Sequence, residues 1–118
     1  MKPFTRSERV SGQIQKILSD LLKKKIRDPR LSAVTITGVK MTPDLKLAYI
    51  YFTTFEGEKH KAEALEGFDS SLGFLKRNLA RKLGLRYMPE LKFFYDESFD
   101  YGAHIDSILK AIESDRSS

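Results

Sequence analysis

Two strand-like runs separated by only three residues constrain this chain more than any other feature. Residues 33–41 and 45–55 are rich in β-branched and aromatic side chains, and Thr42-Pro43-Asp44 joins them. A proline turn between such runs predicts an antiparallel hairpin. In the first run Val34 and Ile36 alternate with Thr35 and Thr37, and the apolar phase then slips by one at Gly38 to give Val39 and Met41. A glycine at a phase slip predicts a β-bulge. In the second run Ala48, Ile50 and Phe52 form one face, while Tyr49, Tyr51 and Thr53 form the other.

Helical patterns flank this hairpin. Over residues 7–27, Val10, Ile14, Ile17, Leu18, Leu21 and Leu22 recur at spacings of three and four, one face of a helix. Asp28-Pro29 should end it, because the residue before proline is pushed out of the α region. A second helical pattern, 61–83, is carried by Leu65, Phe68, Leu72, Leu75, Leu79 and Leu83. Ser70-Ser71-Leu72-Gly73 interrupts it, and small residues in mid-helix predict a kink. A third strand follows at 91–96, then a last helical pattern with Ile105, Ile108, Leu109 and Ile112, and a polar tail over 113–118.

The order is therefore α-β-β-α-kink-α-β-α. It predicts an α+β fold in one domain spanning residues 1–118, ordered over about 7–112, with a three-stranded sheet carrying helices on one face. No repeat, low-complexity tract or interdomain linker divides the 118 residues, and a chain of this size buries enough surface to fold unaided.

The absence of cysteine excludes disulfides and thiolate metal sites. No apolar run approaches the ~20 residues of a membrane helix. The N-terminus has no signal-peptide core, and Glu8 and Asp20 weigh against a mitochondrial address, so a cytoplasmic location is expected.

The 21 Lys and Arg against 16 Asp and Glu give a net charge of +5, which makes polyanions the candidate partners. At 100° per residue, Arg9, Lys16, Lys23 and Arg27 fall in one stripe opposite the apolar face of the first helix, shared with Gln13 and Asp20. Arg6, Lys24 and Arg30 lie close by in sequence, whereas Lys25 should lay its stem along the apolar stripe. Beyond the kink, Lys76, Arg77, Arg81, Lys82 and Arg86 could form the second wall of a cleft. A helix restarting after Gly73 would offer free backbone N–H groups to a phosphate. For any one of these charges the bland alternative is a solvated helix face; the surface as a whole is the stronger expectation.

Little points to catalysis. Asp96, Glu97, Asp100, His104 and Asp106 cluster, yet they match no metal-ligand spacing, and turn formation and helix-end preference explain them. There is no cysteine nucleophile, no serine with a recognisable His/Asp constellation and no glycine-rich nucleotide loop. No enzyme activity, metal or cofactor is expected. Tyr49, Tyr51 and Tyr95 invite a base-stacking reading, but the element order is not that of an RRM and strands favour tyrosine anyway, so strand packing is their expected role.

The element order is that of a type II KH domain, a single-stranded RNA-binding fold, although no Gly-x-x-Gly loop is present. Arg9-Val10, Ile26-Arg27-Asp28-Pro29-Arg30-Leu31, Val34-Thr35-Ile36-Thr37 and Asp44-Leu45 followed by Ala48-Tyr49-Ile50-Tyr51 stand in a specific order. Gly73-Phe74-Leu75-Lys76-Arg77, Leu85-Arg86-Tyr87-Met88-Pro89-Glu90-Leu91 and then Phe93, Tyr95 and Asp96 complete it. With these residues the chain resembles, from Arg9 to about Leu109, the ribosome-binding factor A family. That family carries an Ala-x-Gly kink where ordinary KH domains carry Gly-x-x-Gly; here Ser71 stands in the alanine position, before Gly73.

The resemblance implies a non-catalytic factor that binds the immature small (30S) ribosomal subunit and its 16S rRNA, aids rRNA maturation and late assembly, and matters for growth in the cold. It extends the expected partners to other assembly factors such as GTPases, with the protein itself a monomer. Two other readings stay open on the residues alone. One is a general RNA- or single-stranded-DNA-binding KH-like module, and the other a protein-interaction adaptor whose charge is incidental.

Overall fold

The computed structural model describes residues 5–55 and 57–97; the expected last helix and the polar tail lie outside these. Helix α1 spans Arg6–Lys24, strands β1 and β2 span Val34–Met41 and Leu47–Thr54, helix α2 spans Lys61–Leu83, and strand β3 spans Glu90–Tyr95. Short 3-10 turns, Pro29–Leu31 and Gly57–His60, precede β1 and α2.

A capping box sets the start of α1. Thr5 Oγ1 accepts from the Glu8 N–H at 3.2 Å, and Glu8 Oε2 accepts from the Thr5 N–H at 3.4 Å, which satisfies donors that a helix N-terminus otherwise leaves unpaired. The helix stops at Lys24, about a turn before the expected end at residue 27. Asp28 is the reason. Its carboxylate caps the turn led by Pro29, accepting from the Arg30 N–H at 2.9 Å, and the chain swings there to bury Leu31. Lys25, expected along the apolar stripe, is the exposed C-cap residue.

The hairpin forms as expected, with the bulge where the phase slips. Ile36 pairs with Phe52 and Gly38 with Tyr51, so Thr37 is the extra residue. The turn is wider than expected, and β2 begins at Leu47 instead of Leu45. Asp44 Oδ1 accepts from the Thr42 hydroxyl at 2.6 Å and from the Lys46 N–H at 3.1 Å, and Leu45 sits at φ 62°. A leucine in the left-handed region cannot extend a strand. Strand β3 joins β2 in parallel, Ala48 opposite Leu91 and Phe52 opposite Tyr95, which leaves β2 in the centre of the sheet. A parallel partner requires a crossover, and α2 supplies it.

Both helices pack on one sheet face, as expected. Val10, Ile14, Leu18 and Leu21 of α1 and Ala64, Phe68, Leu75 and Leu79 of α2 share one core with Ile36, Ala48, Ile50, Phe52 and Leu91. Phe68 is its hub: its ring stacks on Phe93 at 4.2 Å between centroids and meets Phe52 edge-on at 5.1 Å. Helix α2 runs unbroken through Ser70–Gly73. A mid-helix glycine costs only about 1 kcal/mol, and buried residues on both sides, Phe68 before it and Leu75 after it, hold the helix down. So no free helix N-terminus follows Gly73, and the backbone phosphate site expected there is absent. Gly84 ends the helix in the left-handed conformation at φ 62°, which glycine adopts without a Cβ clash.

The opposite sheet face is uncovered among the described residues. The three candidate stacking tyrosines divide accordingly. Tyr95 points into the core, while Tyr49 and Tyr51 stand outward with the Phe94 ring 5.8 Å and 6.0 Å from theirs.

Candidate RNA-binding surface

The ends of the two helices bring several of the candidate cations together. The capping box starts α1 at Arg6, so Arg6 and Arg9 occupy its first turns. The left-handed Gly84 turns the chain sharply after α2, and Leu83, Gly84 and Leu85 face those turns across a cleft of about 290 Å³ that Arg9 and Gln13 also line. A second cleft of about 330 Å³ adjoins it through the shared Arg6 and Leu85, and brings in Asp44, Lys46, Arg86 and Tyr87. Arg6, Arg9 and Arg86, expected from the sequence, are thus neighbours in space.

Lys46 and Tyr87 were not anticipated. Both lie in connections whose geometry only the folded chain reveals: Lys46 at the hairpin tip and Tyr87 in the α2–β3 loop. The signal available for Tyr87 is an aromatic residue beside Arg86 in a segment with no strand alternation. The Glu90 N–H donates to the Lys46 carbonyl at 2.9 Å, tying loop to hairpin. Hydrogen bonds from the Thr42 hydroxyl first, then from the Lys46 N–H, hold the Asp44 carboxyl below the ordinary aspartate range. The cleft therefore sets three cations against one stable anion.

The remaining candidates spread outward from this point. Lys16, Lys23 and Lys24 are exposed on α1, with Lys23 about 21 Å along the axis from Arg9 at 1.5 Å per residue. Arg27 lies beyond the helix end and leaves the stripe, which therefore has three members. On α2, Arg77, Arg81 and Lys82 are exposed and Lys76 is half-buried. The Arg77 guanidinium folds back over Gly73, its Nη1 3.3 Å from where a Cβ would stand. Ser71 is half-buried.

Arg30 is engaged inside the protein. Its Nε and Nη2 grip Asp28 at 3.0 Å and 2.8 Å, Nη2 donates to Ser70 Oγ at 3.2 Å, and Nη1 lies 3.9 Å from Glu66. It clamps the Pro29–Leu31 turn to α2. Asp96 has a structural partner as well, accepting from the Thr37 hydroxyl at 2.6 Å across the central strand. Asp100, His104 and Asp106 of the same acidic cluster lie outside the described residues. Among the described residues, no helix is long and apolar enough to cross a membrane.

A family model described as ribosome-binding factor A matches residues 6–109. The chain belongs to the ribosome-binding factor A family. A ribosome-binding factor A of Desulfatibacillum aliphaticivorans is 58% identical over 112 residues, covering 95% of this chain and 91% of the relative. The fold agrees with the crystal structure of ribosome-binding factor A from Thermus thermophilus at a TM-score of 0.66 and 25% identity, over 75% of this chain and 94% of that one. A homology model of the Thermus thermophilus ribosome-binding factor A, fitted into the cryo-EM map of its 30S complex, agrees in fold at a TM-score of 0.63 and 24% identity, over 79% of this chain and 97% of that one.

Proposed function

We propose that this protein binds the immature small ribosomal subunit through its 16S rRNA and assists rRNA maturation and late assembly without catalysing a reaction. The observation that carries the reading is the meeting of Arg6 and Arg9 with Lys46 and Arg86 in two adjoining clefts. Solvent-facing cations that converge from separate elements suit a phosphate backbone better than scattered charges do. Family membership supports the small subunit as partner, since a homology model of a Thermus thermophilus relative has been fitted into a 30S map.

The proposed surface comprises Arg6, Arg9, Lys16, Lys23, Lys24 and Arg27 on the α1 side and Ser71, Gly73, Lys76, Arg77, Arg81, Lys82 and Arg86 on the α2 side. Arg30 contributes by holding its turn in place. The protein acts as a single KH-like domain over residues 1–118, monomeric and cytoplasmic. It works beside other assembly factors such as GTPases and supports growth in the cold.

Binding to purified immature small subunits, mature small subunits, large subunits and unrelated structured RNA, at physiological salt, tests the reading. Selective retention on small subunits, strongest for immature ones, is the expected result. Equal binding to every RNA would reduce the protein to a generic RNA-binding module. Contact with five to eight phosphates would give a salt slope of roughly −0.7 to −0.9 per phosphate.

A further inference from the structure

We infer that the cleft between the hairpin tip and the α2–β3 loop receives one unpaired RNA nucleotide, its base on the Tyr87 ring and its phosphate among Arg6, Lys46 and Arg86. The inference rests on the RNA-binding reading above and assigns a distinct task to one part of that surface.

Tyr87 is 76% exposed, more than any other large hydrophobic residue among those described. Exposing an aromatic ring forfeits the favourable free energy of burying it. The loop bearing it is nevertheless anchored at both ends. Gly84 caps α2 on one side, and on the other Pro89 is fully buried and the Glu90 N–H is bonded to the Lys46 carbonyl. The Arg86 guanidinium lies 5.5 Å from the centroid of the Tyr87 ring. A planar base added to this pair meets a ring surface beside a cation, the combination by which proteins hold unpaired bases.

The cleft wall explains why the occupant is a nucleotide and not a bare anion. Asp44 sits among the three cations, its Oδ1 occupied by Thr42 and Lys46. A carboxylate only accepts hydrogen bonds. It therefore suits the donor groups on a base edge and opposes a cluster of phosphates. A volume of about 330 Å³ lies at the small end of ligand sites, room for one nucleotide. A duplex presents no free base face to Tyr87, so the ligand is unpaired.

The test uses the full chain with a short single-stranded oligoribonucleotide and its abasic counterpart of equal charge. The intact oligonucleotide should bind about tenfold more tightly, as one stacked base is worth ~1–3 kcal/mol. Tyr87→Ala should remove that difference and Tyr87→Phe should restore it, because Phe keeps the ring. Lys46→Gln should lower the salt slope by about one. Equal affinity for the two oligonucleotides, or an unaffected Tyr87→Ala variant, would overturn the site. Loss in Tyr87→Phe equal to that in Tyr87→Ala would also overturn stacking, since only the hydroxyl would then matter. Binding of the wild type and of Tyr87→Ala to small subunits is measured in parallel. No binding by the wild type overturns the ribosomal reading, while equal binding by the two proteins overturns the cleft alone.

Discussion

Leu31 lies against α2 at Gly67, where the helix has no side chain: a Cβ added there would stand 2.9 Å from Leu31 Cγ and 3.2 Å from Arg30 Cβ. Both neighbours belong to the turn that Asp28 caps, and Leu31 is 2% exposed, so it has little room to move. Gly67→Ala would ordinarily gain helix propensity of up to about 1 kcal/mol. Here the overlap should outweigh it and leave the variant less stable by about 1–3 kcal/mol. Urea unfolding of the two proteins checks this, and an unchanged or raised midpoint would mean the turn can retreat from α2.

Gly73 is the contrasting case. The atom a Cβ would meet is Arg77 Nη1 at 3.3 Å, the far end of a flexible side chain. Gly73→Ala should therefore raise stability by about 0.5–1 kcal/mol while displacing Arg77. Thermal unfolding and subunit binding, measured together, separate the two effects. Weaker binding by a more stable protein would place Arg77 in the interface; unchanged binding would remove it.

Phe68 joins α2 to two strands through its contacts with Phe93 and Phe52. Phe68→Ala should cost about 3–5 kcal/mol, a large share of the stability of a domain this size. Phe68→Leu should cost less because it leaves a smaller void. Denaturant midpoints for the pair give the comparison, and equal losses would show that ring geometry matters more than volume.

The Asp28–Arg30 clamp gives stability a pH dependence of known sign. The side-chain hydrogen bond from Arg30, and then its backbone N–H, lower the Asp28 pKa in the folded protein. A lowered folded-state value means that the stabilisation is full above the unfolded aspartate value of about 4. It fades as pH falls from there through the folded-state value. The wild-type midpoint should thus drop below pH 4 more steeply than that of Asp28→Asn, with the two curves converging at the acid end. Parallel curves would show that the clamp contributes nothing measurable.

Charge reversal of Arg9, Lys16 and Lys23 to glutamate should weaken subunit binding by about two orders of magnitude or more at physiological salt. All three are exposed, so stability should stay within about 0.5 kcal/mol for each change. A filter-binding series across salt concentrations measures both affinity and slope. Undiminished binding would exclude α1 from the site.

The elements themselves were legible in the residues because each follows from a local period. Apolar residues at three and four steps gave α1 and α2, alternation gave the strands, and the phase slip at Gly38 located the bulge. The basic residues of both helices were legible too, since charges opposite an apolar stripe must face water. Boundaries fared less well. Asp44 and Asp28 each draw a backbone N–H to a carboxylate, and these bonds shift the start of β2 and the end of α1 by a few residues without altering the hydropathy pattern.

What the sequence determined by itself is which stretches are helix or strand, which faces are apolar, and where positive charge must reach solvent; all three depend on residues near one another in the chain. Only the tertiary structure decided that α2 stays whole through Ser70–Gly73, because Phe68 and Leu75 are buried on either side of that segment. It also decided that Arg30 is tied to Asp28, and that Arg6, Lys46, Arg86 and Tyr87 meet in one cleft. Those four residues come from a helix start, a hairpin tip and a loop. No spacing rule relates such positions, and the packing of the three elements they belong to is what brings them together.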